Sequence, residues 1–151
     1  MIKIVNGNLL DSSAKYICHQ VNCQGVMGSG VAKQIKEKWP TVFQRYRGLC
    51  SKYSDDKMSL LGSALFVSID GETSVVNLFG QFGYGIDRAH TNMDALRRAL
   101  TKVAEHAAVG ETIAMPYRIG CGLAGGDWGE VMDMLSEIFA NHHLTLYKYG
   151  G

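Results

Sequence analysis

Two clusters of glycine are the first residues whose types and spacing could do chemistry. Gly25, Gly28 and Gly30 follow the apolar run Tyr16–Val21. Gly120, Gly122, Gly125 and Gly126 follow the second apolar run, Thr112–Met115. An amphipathic stretch comes after each cluster. A strand, a glycine loop and a helix start together offer unpaired N–H groups and a partial positive charge, which suit a phosphate. Glycine also lets a ligand approach the backbone closely. One exposed helix-end interaction is worth only ~0.3–1 kcal/mol, so two converging loops suit a diphosphate better than one. That the loops converge is an expectation, since sequence does not show that they meet.

Two familiar motifs fail on these loops. Gly120, Gly122 and Gly125 satisfy G-x-G-x-x-G, but no acid stands about twenty residues on, near position 145, to hold a ribose. Gly25 and Gly30 have the P-loop glycine spacing, but Val31-Ala32 stands where Lys and Ser/Thr are required. A dinucleotide oxidoreductase and a P-loop phosphotransferase are therefore disfavoured.

Regular elements must position the loops. Ile2–Val5 reads as a short strand closed by Asn6-Gly7-Asn8, and Tyr16–Val21 as a second strand in a hairpin-like opening region. Val31, Ile35 and Trp39 mark an amphipathic helix that Pro40 ends, and Phe43, Tyr46, Leu49, Cys50 and Tyr53 mark the next. Ser63–Ile69 and Ser74–Leu78 are strand-like about Asp70-Gly71. Thr91 and Asp94 resemble a capping box for a helix carrying Leu96, Leu100, Val103 and Ala107, with Gly110 as its stop. Asp127 reads as the N-cap of a helix carrying Trp128, Val131, Leu135 and Ile138, and Leu144–Tyr149 closes the chain as a strand. This alternation predicts an α/β fold with a mixed sheet between helical layers.

The 151 residues fit one domain, read as 1–151. A formal net charge of +1 gives no strong field towards nucleic acid or membrane, so any anion must be held locally. Cys18, Cys23, Cys50 and Cys121 include no C-x-x-C pair, so zinc and thioredoxin-like readings lack their spacing, and no metal site is expected. No signal peptide or membrane span is evident, and a reduced, cytoplasmic protein without a cofactor is expected.

The ordered motifs resemble those of the macrodomain family, over nearly the whole chain. Val21-Asn22-Cys23-Gln24-Gly25-Val26-Met27-Gly28-Ser29-Gly30-Val31-Ala32 looks like its ribose and first phosphate loop. Met115-Pro116 with Ile119-Gly120-Cys121-Gly122-Leu123 looks like its second. Gly7-Asn8-Leu9 matches its adenine-side turn, and Gly125-Gly126-Asp127-Trp128 is typical of one branch. That branch holds ADP-ribose 1″-phosphate phosphatases, terminal ADP-ribose protein glycohydrolases and DNA-ADP-ribosylation antitoxin macrodomains. The resemblance implies a three-layer α/β/α fold with a mixed central sheet. It also implies an ADP-ribose cleft, with Asn8, Leu9, Asn22, Gly28, Ser29, Gly30, Val31, Gly120, Cys121, Gly122 and Leu123 as ligand-binding residues.

Departures from the branch bear on the reaction. Asn8 replaces the family's usual aspartate, as it does in the phosphatase. Gln81 stands where the glycohydrolase and antitoxin have lysine, and Ala124 where the glycohydrolase has aspartate. His19 and the Asn22-Cys23 pair resemble the phosphatase. The resemblance therefore implies hydrolysis of ADP-ribose 1″-phosphate, with Asn22 gripping the distal ribose and His19 or Asp127 as general base or nucleophile. The alternatives are a glycohydrolase acting on an ADP-ribosylated macromolecule and a non-catalytic ADP-ribose reader.

Each candidate has a plainer reading. His19 suits a satisfied core histidine, Asn22 an Asx turn and Asp127 an N-cap. Cys23 and Cys121 suit small packed residues, although loop N–H groups could lower the Cys121 pKa. Gln81, Phe82 and Tyr84, within the segment Gly80–His90 that also holds Arg88, could form a flap over the ligand or pack on themselves. Lys33, Lys36 and Lys38 read as a solvated face, and His142-His143 as surface.

Overall fold

The computed structural model describes residues 2–85, 90–121 and 124–149. Six strands form one sheet: β1 (Ile2–Asn6), β2 (Tyr16–Val21), β3 (Ala64–Ser68), β4 (Ser74–Phe79), β5 (Thr112–Pro116) and β6 (His143–Lys148). Their order is β1-β6-β5-β2-β4-β3, and all neighbours are parallel except β3 and β4. The helices are α1 (Gly30–Lys38), α2 (Pro40–Lys52), α3 (Met93–His106) and α4 (Trp128–Ile138).

Adjacent strand residues point to opposite faces, so each strand feeds two cores. Ile17, Val75 and Ala114 pack with Ile35, Val42 and Tyr46 of α1 and α2. Cys18, Val76 and Ile113 pack with Leu96 and Leu100 of α3 and with Val131 and Leu135 of α4. The expected α/β/α layering and mixed sheet follow. Among the described residues no helix is long and apolar enough to cross a membrane.

Several local expectations are corrected. The opening region is not a hairpin: β1 pairs in parallel with β6, from Ile2↔Leu144 to Asn6↔Lys148. The intervening Asn8 is spent on a 3-10 turn at Leu9–Asp11, its Oδ1 accepting from Leu10 N at 3.0 Å. Pro40 ends α1 and also opens α2, where its missing N–H costs nothing. The cap of α3 is Asn92, whose Oδ1 accepts from Ala95 N at 2.9 Å; Thr91 lies one residue too early. α3 stops at His106 through an extended Ala107, and Gly110 (φ +84°) turns the chain beyond it. His142 is buried, with Nε2 3.3 Å from Ala107 O, whereas His143 is exposed, because neighbours entering a strand face opposite ways. Asp127 caps α4 as read, accepting from Glu130 N at 3.1 Å.

Candidate functional site: a cleft between two loops

The cleft begins where a ladder stops. β2 pairs with β5 only through Tyr16↔Ile113 and Ile17↔Ala114. On its other side β2 pairs with β4 along its whole length, from Tyr16↔Ser74 to Val21↔Phe79. β2 then feeds α1 on one face of the sheet and β5 feeds α4 on the other. Two parallel neighbours whose connections leave in opposite directions open a crevice at their carboxyl ends. Here it is a cavity of ≈ 710 Å³, lined by Gly28–Val31 of the first loop and Tyr117–Gly120 of the second. The two glycine loops do meet. A smaller cavity of ≈ 230 Å³ is lined by Asn8, Leu9, Tyr147 and Tyr149. Val31, Pro116 and Tyr117 line both, so the two compartments adjoin.

The loops are not equivalent. Ser29 occupies the N-cap of α1 without a side-chain capping bond, and no acid follows in the first turn. That helix end keeps its partial positive charge for a ligand. The α4 end is already satisfied by Asp127, with Glu130 in its first turn. The second loop instead offers backbone from two successive turns. Ile119 N donates to Pro116 O at 3.1 Å, and Cys121 N donates to Arg118 O at 2.9 Å. The third residues of these turns are Arg118 (φ +64°) and Gly120 (φ +75°). Arginine in that conformation costs roughly 1–2 kcal/mol that glycine avoids. Arg118 is the single charged residue among the described residues lining the larger cavity. The loop then folds back, with Gly126 N donating to Gly120 O at 2.8 Å.

His19 and Asn22 line the larger cavity, but their side chains are engaged. His19 is buried, with Nε2 2.7 Å from Asn77 Oδ1, and Nδ1 has no partner among the described residues. Burial pushes its imidazole down to about 4, against the raising influence of the Asn77 bond. Asn22 Oδ1 accepts from Gln24 N at 2.9 Å and Tyr46 Oη at 2.8 Å, while Nδ2 donates to Val26 O at 2.8 Å. It therefore braces the first loop as an Asx turn. Asp127 caps α4 and is not among the described residues lining the cavity. Burial pushes the Cys23 thiol up to about 12. The Cys121 thiol is also raised, chiefly by burial, in keeping with the reading of a small packed residue rather than an activated thiol. Gly122, Leu123 and Arg88 lie outside the described residues.

The flap segment is tied to both loops. Phe82 O accepts from Cys23 N and from Gln24 Nε2, each at 3.0 Å. Gln20 Nε2 donates to Gln81 Oε1 at 2.7 Å and to Thr91 Oγ1 at 2.9 Å. Thr91 Oγ1 in turn donates to Gly120 O at 2.6 Å. Gln81 thus serves as an acceptor in a network, a role that lysine cannot fill. Tyr84 lines the cavity and is 55% exposed, while Phe82 is 38% exposed, so both rings have face left to cover a ligand.

Sequence reasoning missed Tyr46, Asn77, Tyr117 and Arg118. Asn77 carried a signal, being the one polar residue between Val75 and Phe79. Tyr46 carried another, as a hydroxyl on the inward face of α2. Nothing in the sequence marks a left-handed arginine.

A doubly faced α/β domain with a switch-point crevice and an uncapped helix end defines a class of nucleotide-binding fold. The chain belongs to the macrodomain family: the Macro domain family model matches residues 18–135. It is similar to an ADP-ribose 1″-phosphate phosphatase from Debaryomyces hansenii, 27% identical over 97% of this chain and 98% of that one. It is also similar to a DNA ADP-ribosyl glycohydrolase from Mycobacterium bovis, 27% identical over 92% of this chain but only 39% of that longer protein. Among solved structures, the macrodomain of Mycobacterium tuberculosis DarG has a TM-score of 0.79 at 27% identity, covering 97% of each chain.

Proposed function

We propose that this macrodomain, acting as one domain over residues 1–151, binds ADP-ribose and hydrolyses ADP-ribose 1″-phosphate. The joined pair of compartments carries this reading. The small slot beside Asn8, Leu9 and Tyr149 has the size and aromatic lining for an adenine. The uncapped α1 end offers N–H groups for a diphosphate, as do Arg118 N and Gly120 N, which find no backbone acceptor among the described residues of the two turns. The larger cavity continues past them to the floor around His19 and Asn22, with room for a distal ribose. The Debaryomyces relative, matched over almost its full length, bears the name of this activity. Buried free cysteines fit a reducing, cytoplasmic setting.

In the proposed reaction a water oxygen bonds to phosphorus, the phosphorus–ribose oxygen bond breaks, and that oxygen takes up a proton. His19 Nδ1, buried and without a partner among the described residues, is the candidate acceptor for the water's proton once the cleft floor admits that water. Asp127 is the alternative acid–base or nucleophilic group, and Asn22 shapes the first loop around the distal ribose.

One observation favours a second reading, that of a reader without turnover: His19, Asn22 and Asp127 all have structural partners. Glycohydrolysis of an ADP-ribosylated macromolecule, the activity named for the Mycobacterium bovis relative, ranks behind because Gln81 is held in its amide network.

Calorimetric titration with ADP-ribose tests the binding, and phosphate release from ADP-ribose 1″-phosphate tests the reaction. Binding with release that is lost in His19→Ala or Asp127→Ala supports the phosphatase. Binding without release supports the reader. No binding at millimolar ligand removes the ADP-ribose reading.

A further inference from the structure

Arg118 occupies a position that its residue type makes costly. It is the third residue of the turn Pro116–Ile119, with φ at +64°, where glycine is the ordinary occupant. The next turn, Arg118–Cys121, has glycine at the equivalent place, with Gly120 at φ +75°. The same backbone demand thus arises twice in succession and is met once by glycine and once by arginine. Among the described residues Arg118 is the one non-glycine residue with positive φ. Its side chain is exposed and makes no hydrogen bond or ion pair among the described residues. The described residues therefore give the guanidinium no hydrogen-bonding or ionic partner. A strained residue at the rim of a cleft, with no partner among the described residues, points to a ligand.

We infer that Arg118 is a binding residue, a cationic clamp on the ligand's diphosphate. The inference rests on the ADP-ribose reading of the cleft and goes beyond it by naming the group that carries full charge. Arg118 follows Tyr117, which lines both compartments, and precedes the second loop's Gly120. It therefore stands beside the junction that a linker from base to distal sugar has to cross. The rest of the cradle is neutral N–H groups and a helix end with partial charge. No acid and no other cation is found among the described residues lining the larger cavity. A guanidinium can meet two phosphate oxygens at once, which a lone ammonium cannot.

Arg118→Gly and Arg118→Lys test the inference, using thermal unfolding without ligand and calorimetric titration with ADP, ADP-ribose and ADP-ribose 1″-phosphate. Arg118→Gly is expected to unfold at an unchanged temperature or up to about 4 °C higher, since strain is relieved. It is expected to bind ADP and ADP-ribose more weakly by a common factor of roughly ten, and the loss shrinks in high salt. Arg118→Lys keeps part of the affinity. An unchanged ADP affinity in Arg118→Gly overturns the inference, as does a lowered unfolding temperature, which would make Arg118 a structural residue. A loss confined to the 1″-phosphate ligand assigns Arg118 to the terminal phosphate and overturns it too. If the wild type binds ADP but not ADP-ribose, the functional reading fails while the ADP titration still decides Arg118. If the wild type binds neither, both fall.

Discussion

His19 and Asn77 are direct partners across β2 and β4, with imidazole Nε2 2.7 Å from the amide Oδ1. The other end of the Asn77 amide donates to Leu65 O at 3.2 Å, which fixes the oxygen towards the imidazole. Nε2 therefore carries the ring proton, and Nδ1 is left as an acceptor with no partner among the described residues. The pair holds His19 in one tautomer and one charge state at the floor of the cleft.

This pair makes stability depend on pH. The folded-state value near 4 lies below the ordinary 6.5, so the unfolded chain binds a proton that the folded chain refuses. The contribution is present in full above pH 6.5 and is lost as pH falls towards 4. The full loss is about 3 kcal/mol, to order of magnitude. His19→Gln should remove that slope. The difference between wild-type and variant urea curves at pH 7 and pH 4.5 measures it, and parallel pH dependences would count against the buried neutral ring.

Tyr46 holds the first loop from beneath, its hydroxyl 2.7 Å from Asn22 O and 2.8 Å from Asn22 Oδ1. Tyr46→Phe should cost about 1–2 kcal/mol, because the one buried O–H that Asn22 O and Oδ1 share is lost, while Oδ1 keeps Gln24 N. The denaturation midpoint should fall with an unchanged m-value. ADP-ribose affinity should fall as well. Full affinity in a destabilised variant would separate the brace from the binding site.

Two glycines should respond to alanine with opposite signs. A Cβ at Gly126 would lie 2.6 Å from Gly120 O, a backbone atom with little freedom to yield. Gly126→Ala should destabilise by about 1–3 kcal/mol and weaken ligand binding. Gly48 is exposed within α2, and a Cβ there meets nothing within 4 Å. Gly48→Ala should stabilise by about 0.5–1 kcal/mol and leave binding alone. Thermal unfolding of both variants checks the pair.

Gln20 links the flap to the second loop through Gln81 and through Thr91 to Gly120 O. Gln81→Leu and Thr91→Val should therefore be non-additive in ADP-ribose affinity, with a coupling of about 0.5–3 kcal/mol. Simple additivity in the double-mutant cycle would mean that the two arms act separately.

Features set by neighbours in the chain were legible in the sequence. Asp127 was readable as a cap, and the faces built on Ile35 and Leu100 were readable from their period. Features set by distant partners were not. β1 lies on β6 because Ile2 finds Leu144, more than a hundred residues away, and no turn residue announces that. Thr91 has the side chain of a cap but spends its hydroxyl on Gly120 O. The glycine loops were readable as the walls of a cleft. Their inequality was not, because it depends on Ser29 leaving α1 open while Asp127 closes α4.

The two-rung contact between β2 and β5 has a consequence for how such a domain can change. The slot exists because Tyr16↔Ile113 and Ile17↔Ala114 are the last rungs before the strands part. It is a property of main-chain pairing, settled before any reactive side chain is chosen. Residues at the rim, such as Gln81 and Ala124, can be exchanged without disturbing those rungs. The domain therefore resembles a socket with interchangeable contacts: nucleotide recognition can outlast the gain, loss or replacement of a reaction.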